Sequence, residues 1–207
     1  FAEDDDHTLW TSGGGQVIGW LNTKMFDETG DEQQSQGWTA LVLDTNGNGK
    51  RDAYVEPDEA PDPSKDTRVR SGYYGVAVSP VDGTIWGSSL GFPGAILRLD
   101  PGSDPAATAL IEVYMPPWNN PAAPVQGYSP RGMDIDRNGV AWTPLASGHM
   151  ASFDRSKCTA PLNGPAATGQ HCPEGWTLYP EPLPQLKGLA DSGSAESSYY
   201  TWVDQFD

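Results

Sequence analysis

The sequence predicts an all-β chain of the β-propeller type, built from four-stranded antiparallel blades with long loop insertions. About three to four blades are visible, so the propeller is incomplete in this chain. Three observations carry that expectation. Three segments repeat one pattern: DHTLWTSGGGQVIGWLN from Asp6, DGTIWGSSLGFPGAILRLD from Asp82 and NGVAWTPLASGHMASFD from Asn138. Gly 24 and Pro 19 make up about a fifth of the 207 residues, against roughly one-eighth in average usage. Helical periodicity is nowhere sustained, while short apolar runs bounded by turn residues recur along the chain.

Each repeat opens on a turn pair and places a Trp (Trp10, Trp86, Trp142) three residues after the second turn residue. It then passes through small residues into a second apolar stretch ending in Asn22, Asp100 or Asp154. The Trp-to-Asx spacings are 12, 14 and 12 residues. Upstream of two copies lies a further short strand, GVAVSP after Tyr74 and GMDIDR after Arg131. Downstream of all three lies another: WTALVLD, ALIEVYMPP and GWTLYPEP. Four strands per unit, joined by DG and NG corners that suit tight β-connections, make the blade of a propeller. The boundaries that follow are blade 1 over about 1–44, an insertion over 44–70, blade 2 over about 71–117, blade 3 over about 128–182, and a linker over 183–207. Blade 1 lacks a clear innermost strand, and SSYYTWVDQFD is expected to begin a fourth blade.

The stretches GVAVSPVDGTIWGSSLGFPGAILRLDP and GMDIDRNGVAWTPLASGHMASFD resemble the blades of streptogramin (virginiamycin B) lyase-like and NHL-type propellers. That resemblance implies a blade architecture over roughly residues 1–182. It says little about a reaction, because propellers host many unrelated functions. A propeller usually closes with four to eight blades, so three imply a fragment of a longer chain or partner blades from another subunit. The start at Phe1 without a Met or a signal-like segment fits a processed chain or a fragment.

Composition narrows the partners. Eight Trp and eight Tyr argue for a folded chain even at a mean hydropathy of −0.52, because disordered segments lack the aromatic surface that offsets ordering. A net charge of −16 repels phosphate backbones and anionic lipids, which excludes nucleic acid and membrane surfaces as partners. No apolar run approaches the ~20 residues that cross a bilayer.

The insertion DTNGNGKRDAYVEPDEAPDPSKDTRVRSGYY is too long for an ordinary blade connection and needs something to order it. Its front end places oxygen donors at Asp44, Asn46, Asn48 and Asp52, with Glu56 at position 13 and a backbone carbonyl available from Lys50. Hard Ca²⁺ takes six to eight oxygens, and D-x-N-x-N-G lets alternate side chains converge while glycine makes the sharp turn. An EF-hand needs its bidentate acid at position 12, where Val55 stands, and its flanks are helices. The loop therefore resembles the D-x-D-x-D-G-x-x-D calcium loops of extracellular proteins. The competing reading is a pair of Asn-Gly turns with no metal. A second D-x-D-x-N-G, Asp134 to Gly139, falls on a strand and hairpin corner, where alternation would put Asp134 and Asp136 on one face.

Cys158 and Cys172 bracket a Pro- and Gly-rich loop without periodicity. A disulfide there removes loop entropy worth about 3 kcal/mol and implies an oxidising compartment, secreted or periplasmic; two free thiols are the alternative. Of three histidines, His149 alone sits where blade loops could face a central funnel and act as a general base. Tyr74 and Arg131 hold equivalent positions before the inner strands, suited to a polar or anionic ligand, although Arg131 could instead pair with surplus carboxylates. The repeated Trp residues read as blade packing more readily than as a sugar platform. Two functions stand: a calcium-stabilised binding or scaffold module for a protein, polymer or small molecule, and a streptogramin lyase-like metal-dependent enzyme. The second requires a His or Glu to converge on His149.

Overall fold

The computed structural model describes residues 2–12, 15–185, 187–188 and 193–205. The chain is mainly β and forms three sheets. The first holds β1 (Ala2–Glu3), β2 (Thr8–Ser12), β3 (Val17–Asn22) and β4 (Gln36–Ala40) in sequence order, all antiparallel. Two short helices, α1 (Thr23–Thr29) and α2 (Glu32–Ser35), join β3 to β4. The chain then crosses to the second sheet through β5 (Val42–Leu43), β6 (Tyr54–Val55) and β7 (Asp66–Arg68). That sheet's core is β8 (Gly75–Val78), β9 (Ile85–Ser89), β10 (Ala95–Asp100) and β11 (Leu110–Tyr114), with α3 (Pro105–Thr108) before β11. The third sheet holds β12 (Asp134–Ile135), β13 (Ala141–Leu145), β14 (His149–Phe153) and β15 (Trp176–Pro180), again antiparallel in sequence order.

Each sequence repeat thus folds into one four-stranded antiparallel unit. The innermost strand that the sequence did not show in the first repeat exists: Ala2 and Glu3 pair with Trp10 and Leu9. WTALVLD is two strands rather than one. β4 ends on Ala40, buried Leu41 turns the chain, and β5 pairs parallel with β11 through Leu43 and Ile111. β7 and β6 extend the same edge, so the middle sheet has seven strands in the order β6-β7-β5-β11-β10-β9-β8. SSYYTWVDQFD forms no strand among the described residues and runs beside β12 instead; its last two residues, 206 and 207, lie outside them.

The middle sheet is covered on both faces, which explains why β10 is buried at every position from Ala95 to Leu99 and shows no apolar–polar alternation. Ala95, Leu97, Leu99, Ile85, Ile111 and Val113 pack toward Trp10 and Ile18 of the first sheet. The neighbouring positions, Ile96, Trp86 and Tyr114, pack toward Ile135, Leu145, Phe153 and Trp176 of the third. β8 lies beside both β1 and β12, so the inner strands of the three sheets are neighbours.

Arg98 occurs within the apolar run of β10 and is only 8% exposed, pairing with Asp82 at 3.0 Å and Glu112 at 3.2 Å. Arg155 crosses from the third sheet to grip both Glu112 oxygens at 2.6 Å, and Tyr114 Oη donates to Glu112 at 2.6 Å. Burial alone would push Asp82 up, but hydrogen bonds from Thr84, Arg98 and Ser79 outweigh it and hold its carboxyl at about 2. Arg98 and Glu112 are the buried pair of this network, with side chains 10% and 15% exposed, and removing either strands the other's charge, which costs about 3–5 kcal/mol.

Candidate functional site

Two places gather the residues singled out by the sequence. The first is the loop that leaves β5. Asp44 is buried, and its carboxylate organises the backbone: Oδ1 accepts from the N–H groups of Gly47 (2.6 Å) and Asn48 (3.2 Å), and Oδ2 from that of Gly49 (2.8 Å). The turns work because Gly47 and Gly49 take φ of 80° and 74°, the left-handed region that glycine enters without steric cost. Asn46 and Asn48 both direct their side-chain amides at Asp52 Oδ2, at 3.0 and 2.6 Å. Those bonds, Asn48's first and then Asn46's, lower the Asp52 pKa. Lys50 donates its backbone N–H to Asn48 Oδ1 at 2.8 Å.

Asp44, Asn46, Asn48 and Asp52 are thus drawn onto one turn, and oxygen donors of this kind suit a hard cation. Glu56 stands apart, its carboxylate facing Arg68 at 3.2 Å. A residue the sequence reading missed joins the loop: Asp66 on β7 is fully buried and accepts from the Asp52 N–H at 2.7 Å. Its pKa is raised, first by burial and then by the carboxylates of Asp44 and Asp52, against the hydrogen bond from the Asp52 N–H and the weakest influence, that of the Thr45 backbone. Nothing in the local sequence marks Asp66, because the parallel pairing of β6 with β7 places it beside the loop. As the side chains stand, no three His, Cys, Asp or Glu among the described residues form a group that could hold a metal ion.

The loop is also tied across the molecule. Cys158 and Cys172 form a disulfide, Cα atoms 5.1 Å apart. Within the loop it closes, Asn163 Nδ2 donates to Asp44 Oδ2 at 2.9 Å and the Gly164 N–H to the Asp44 carbonyl at 2.7 Å. The D-x-D-x-N-G at Asp134 is used otherwise. Asp134 accepts from the Ile135 and Val203 N–H groups, each at 2.8 Å, while Asp136 caps its hairpin and the Trp142 indole.

The second place is the end of the sheets where β8 and β12 begin. Tyr74 and Arg131 lie there as their equivalent positions imply, and the C-terminal segment brings them together. The Tyr74 ring stacks on Tyr200 at 5.8 Å and meets Tyr199 edge-on at 6.0 Å; the Arg131 guanidinium lies 5.8 Å from the Tyr199 ring centre. Trp202 stacks on Tyr200 at 5.6 Å and is 80% exposed. The segment is anchored by Gly132 N–H to the Tyr199 carbonyl (3.0 Å), Val203 N–H to Asp134, and Gln205 Nε2 to the Ile135 carbonyl (2.6 Å). Hydrogen bonds among the three tyrosines, that with Tyr199 foremost, raise the Tyr74 pKa. Phe92, Trp118 and Tyr128 form another ring cluster, each pair 5.1–5.2 Å apart, beside the hairpin that joins β9 to β10.

His149 is at the start of β14 but is buried rather than open to a funnel. Nδ1 contacts Ser147 Oγ at 3.0 Å, and Nε2 has no hydrogen-bond partner among the described residues. Burial lowers its pKa, opposed by the Glu181 carboxylate. Glu181 itself accepts from the Ser198 N–H and hydroxyl at 3.0 Å.

No helix among the described residues is long and apolar enough to cross a membrane. The chain matches no family model, no curated protein and no solved structure.

Proposed function

We propose that this chain is a segment of a calcium-stabilised β-propeller that works as a binding or scaffold module in an oxidising, extracytoplasmic compartment. The observation that carries the reading is the meeting of Tyr74 and Arg131, equivalent positions of two repeats, with exposed Tyr199, Tyr200 and Trp202 on one surface. Flat rings with an adjoining guanidinium stack on apolar ring faces and offer charge-assisted donors at the edge, which suits a polar polymer. Ca²⁺ held by the Asp44 loop would order the long acidic insertion. The remaining blades, on a longer chain or another subunit, would pack on the outer face of the first sheet, where Trp38 is 67% exposed.

Affinity electrophoresis against a panel of soluble neutral and acidic polysaccharides tests the ligand surface. Retardation by at least one polymer is expected, and Tyr199→Ala with Trp202→Ala should abolish it while the melting temperature stays within a few degrees. Unretarded migration through every polymer defeats the polymer reading. The streptogramin lyase-like alternative needs a second His or Glu within hydrogen-bond reach of His149, and no observation favours it.

A further inference from the structure

The ligand set expected from the sequence ends on Glu56, yet Glu56 is committed to Arg68 at 3.2 Å. Asp66 is the better placed acid. It is 0% exposed, Oδ2 accepts from the Asp52 N–H at 2.7 Å, and Oδ1 has no hydrogen-bond partner among the described residues. A buried carboxylate oxygen without a donor is costly to maintain, and proteins rarely keep one without a use. Its charged neighbours are Asp44, Asp52 and Arg51. The Arg51 guanidinium is engaged elsewhere, by Thr39 Oγ1, the Ala109 carbonyl and the Tyr54 ring face.

We infer that Asp66 supplies the acid that completes the Asp44 loop, so that Ca²⁺ is bound by Asp44, Asn46, Asn48 and Asp52 together with Asp66 from the neighbouring strand, in place of Glu56. The inference rests on the calcium reading above. Pairing fixes the position: Asp66 donates its N–H to the Ala53 carbonyl at 3.1 Å and lies in register with Tyr54 on β6, so the acid reaches the loop through the sheet rather than along the chain. A calcium ion accepts mixed carboxylate and amide oxygens; the side-chain oxygens of Asn46 and Asn48 each accept one backbone N–H, from Asn48 at 3.1 Å and Lys50 at 2.8 Å, and each keeps a second lone pair for an ion. Acids alone therefore need not be grouped beforehand.

Titration calorimetry with CaCl₂, and thermal melts in calcium and in chelator, test this on the wild type, Asp66→Asn, Glu56→Gln and Asp44→Ala. One ion per chain is expected for the wild type, with affinity reduced tenfold or more in Asp66→Asn and unchanged within twofold in Glu56→Gln. Asp66→Asn keeps an acceptor for the Asp52 N–H and loses a buried charge, so in chelator it should melt no lower than the wild type. Wild-type affinity in Asp66→Asn, with binding lost in Asp44→Ala, overturns the role of Asp66 and leaves the loop as a site. A drop in melting temperature for Asp66→Asn as large in chelator as in calcium makes Asp66 merely structural and also overturns it. No calcium binding by the wild type overturns the calcium reading itself.

Discussion

Asp4 and Asp136 perform one task in two repeats. Asp136 accepts from the N–H groups of Asn138 and Val140 and from the Trp142 indole, at 2.9, 3.0 and 3.0 Å; Asp4 accepts from Asp6, Thr8 and Trp10 at 3.0, 3.0 and 2.8 Å. In the middle repeat Pro80 takes that position, and the Trp86 indole turns to Thr84 Oγ1 at 3.0 Å. The repeated Trp was legible in the sequence as a packing residue; the carboxylate that fixes its indole was not, because its partner lies six residues upstream across a turn. The same alignment exposes a strained residue. The corner positions of the second and third repeats are Gly83 and Gly139, with φ of 68° and 79°, whereas the first repeat has His7 at 60°. A side chain costs about 1 kcal/mol in that region, and the exposed contact of His7 with Glu3 offsets little. His7→Gly should therefore raise stability by roughly 0.5–1 kcal/mol, read as a higher urea midpoint, and an unchanged or lower midpoint would refute the argument.

At the scale of the element, the ends of the repeats show how one residue type does related work in different settings. Asn22 caps α1 by accepting from the Met25 N–H at 2.7 Å, Asp100 accepts from Gly102 at 3.1 Å, and Asp154 starts a short 3-10 turn by accepting from Ser156 at 3.0 Å. The recurrence of Asx at these positions was visible in the sequence. That only Asn22 opens an α-helix follows from what comes next, seven residues closed by Gly30 at φ 65°. β9 carries a different constraint. A Cβ at Gly87 would stand 1.6 Å from the Tyr73 ring, which is buried over that strand. Gly87→Ala is expected to cost about 1–3 kcal/mol through overpacking, while the double variant Gly87→Ala with Tyr73→Leu should lose less than the two single effects combined. Additive losses in a double-mutant cycle would show that the strand does not depend on this contact.

Across the whole molecule, two histidines pack around the third sheet in partly or fully buried sites. Burial is the leading cause of the lowered pKa of both His149 and His171. For a base whose folded-state pKa lies below its unfolded value of about 6.5, the unfolded chain binds more protons within that window. The stability contribution is therefore complete above about pH 6.5 and is lost as pH falls toward the folded pKa. The urea midpoint should drop between pH 7 and pH 5, and His149→Gln with His171→Gln should flatten that drop. An equally steep profile in the double variant would assign the pH dependence to the carboxylates instead.

The sequence by itself determined the three repeats and the four strands of the second and third, because turn chemistry and period-two burial are local and each repeat writes them out in order; for Cys158 and Cys172 it offered a bridge beside free thiols. It also placed Tyr74 and Arg131 at corresponding strand starts. Tertiary structure alone decided what those residues meet. Leu41 divides one apparent strand between two sheets, and Tyr199 and Tyr200 reach Tyr74 from a segment some 125 residues away, with Trp202 stacked on Tyr200. Asp66 comes to the Asp44 loop by strand pairing, a contact whose free energy depends on neighbours distant in the chain, and no local pattern records it.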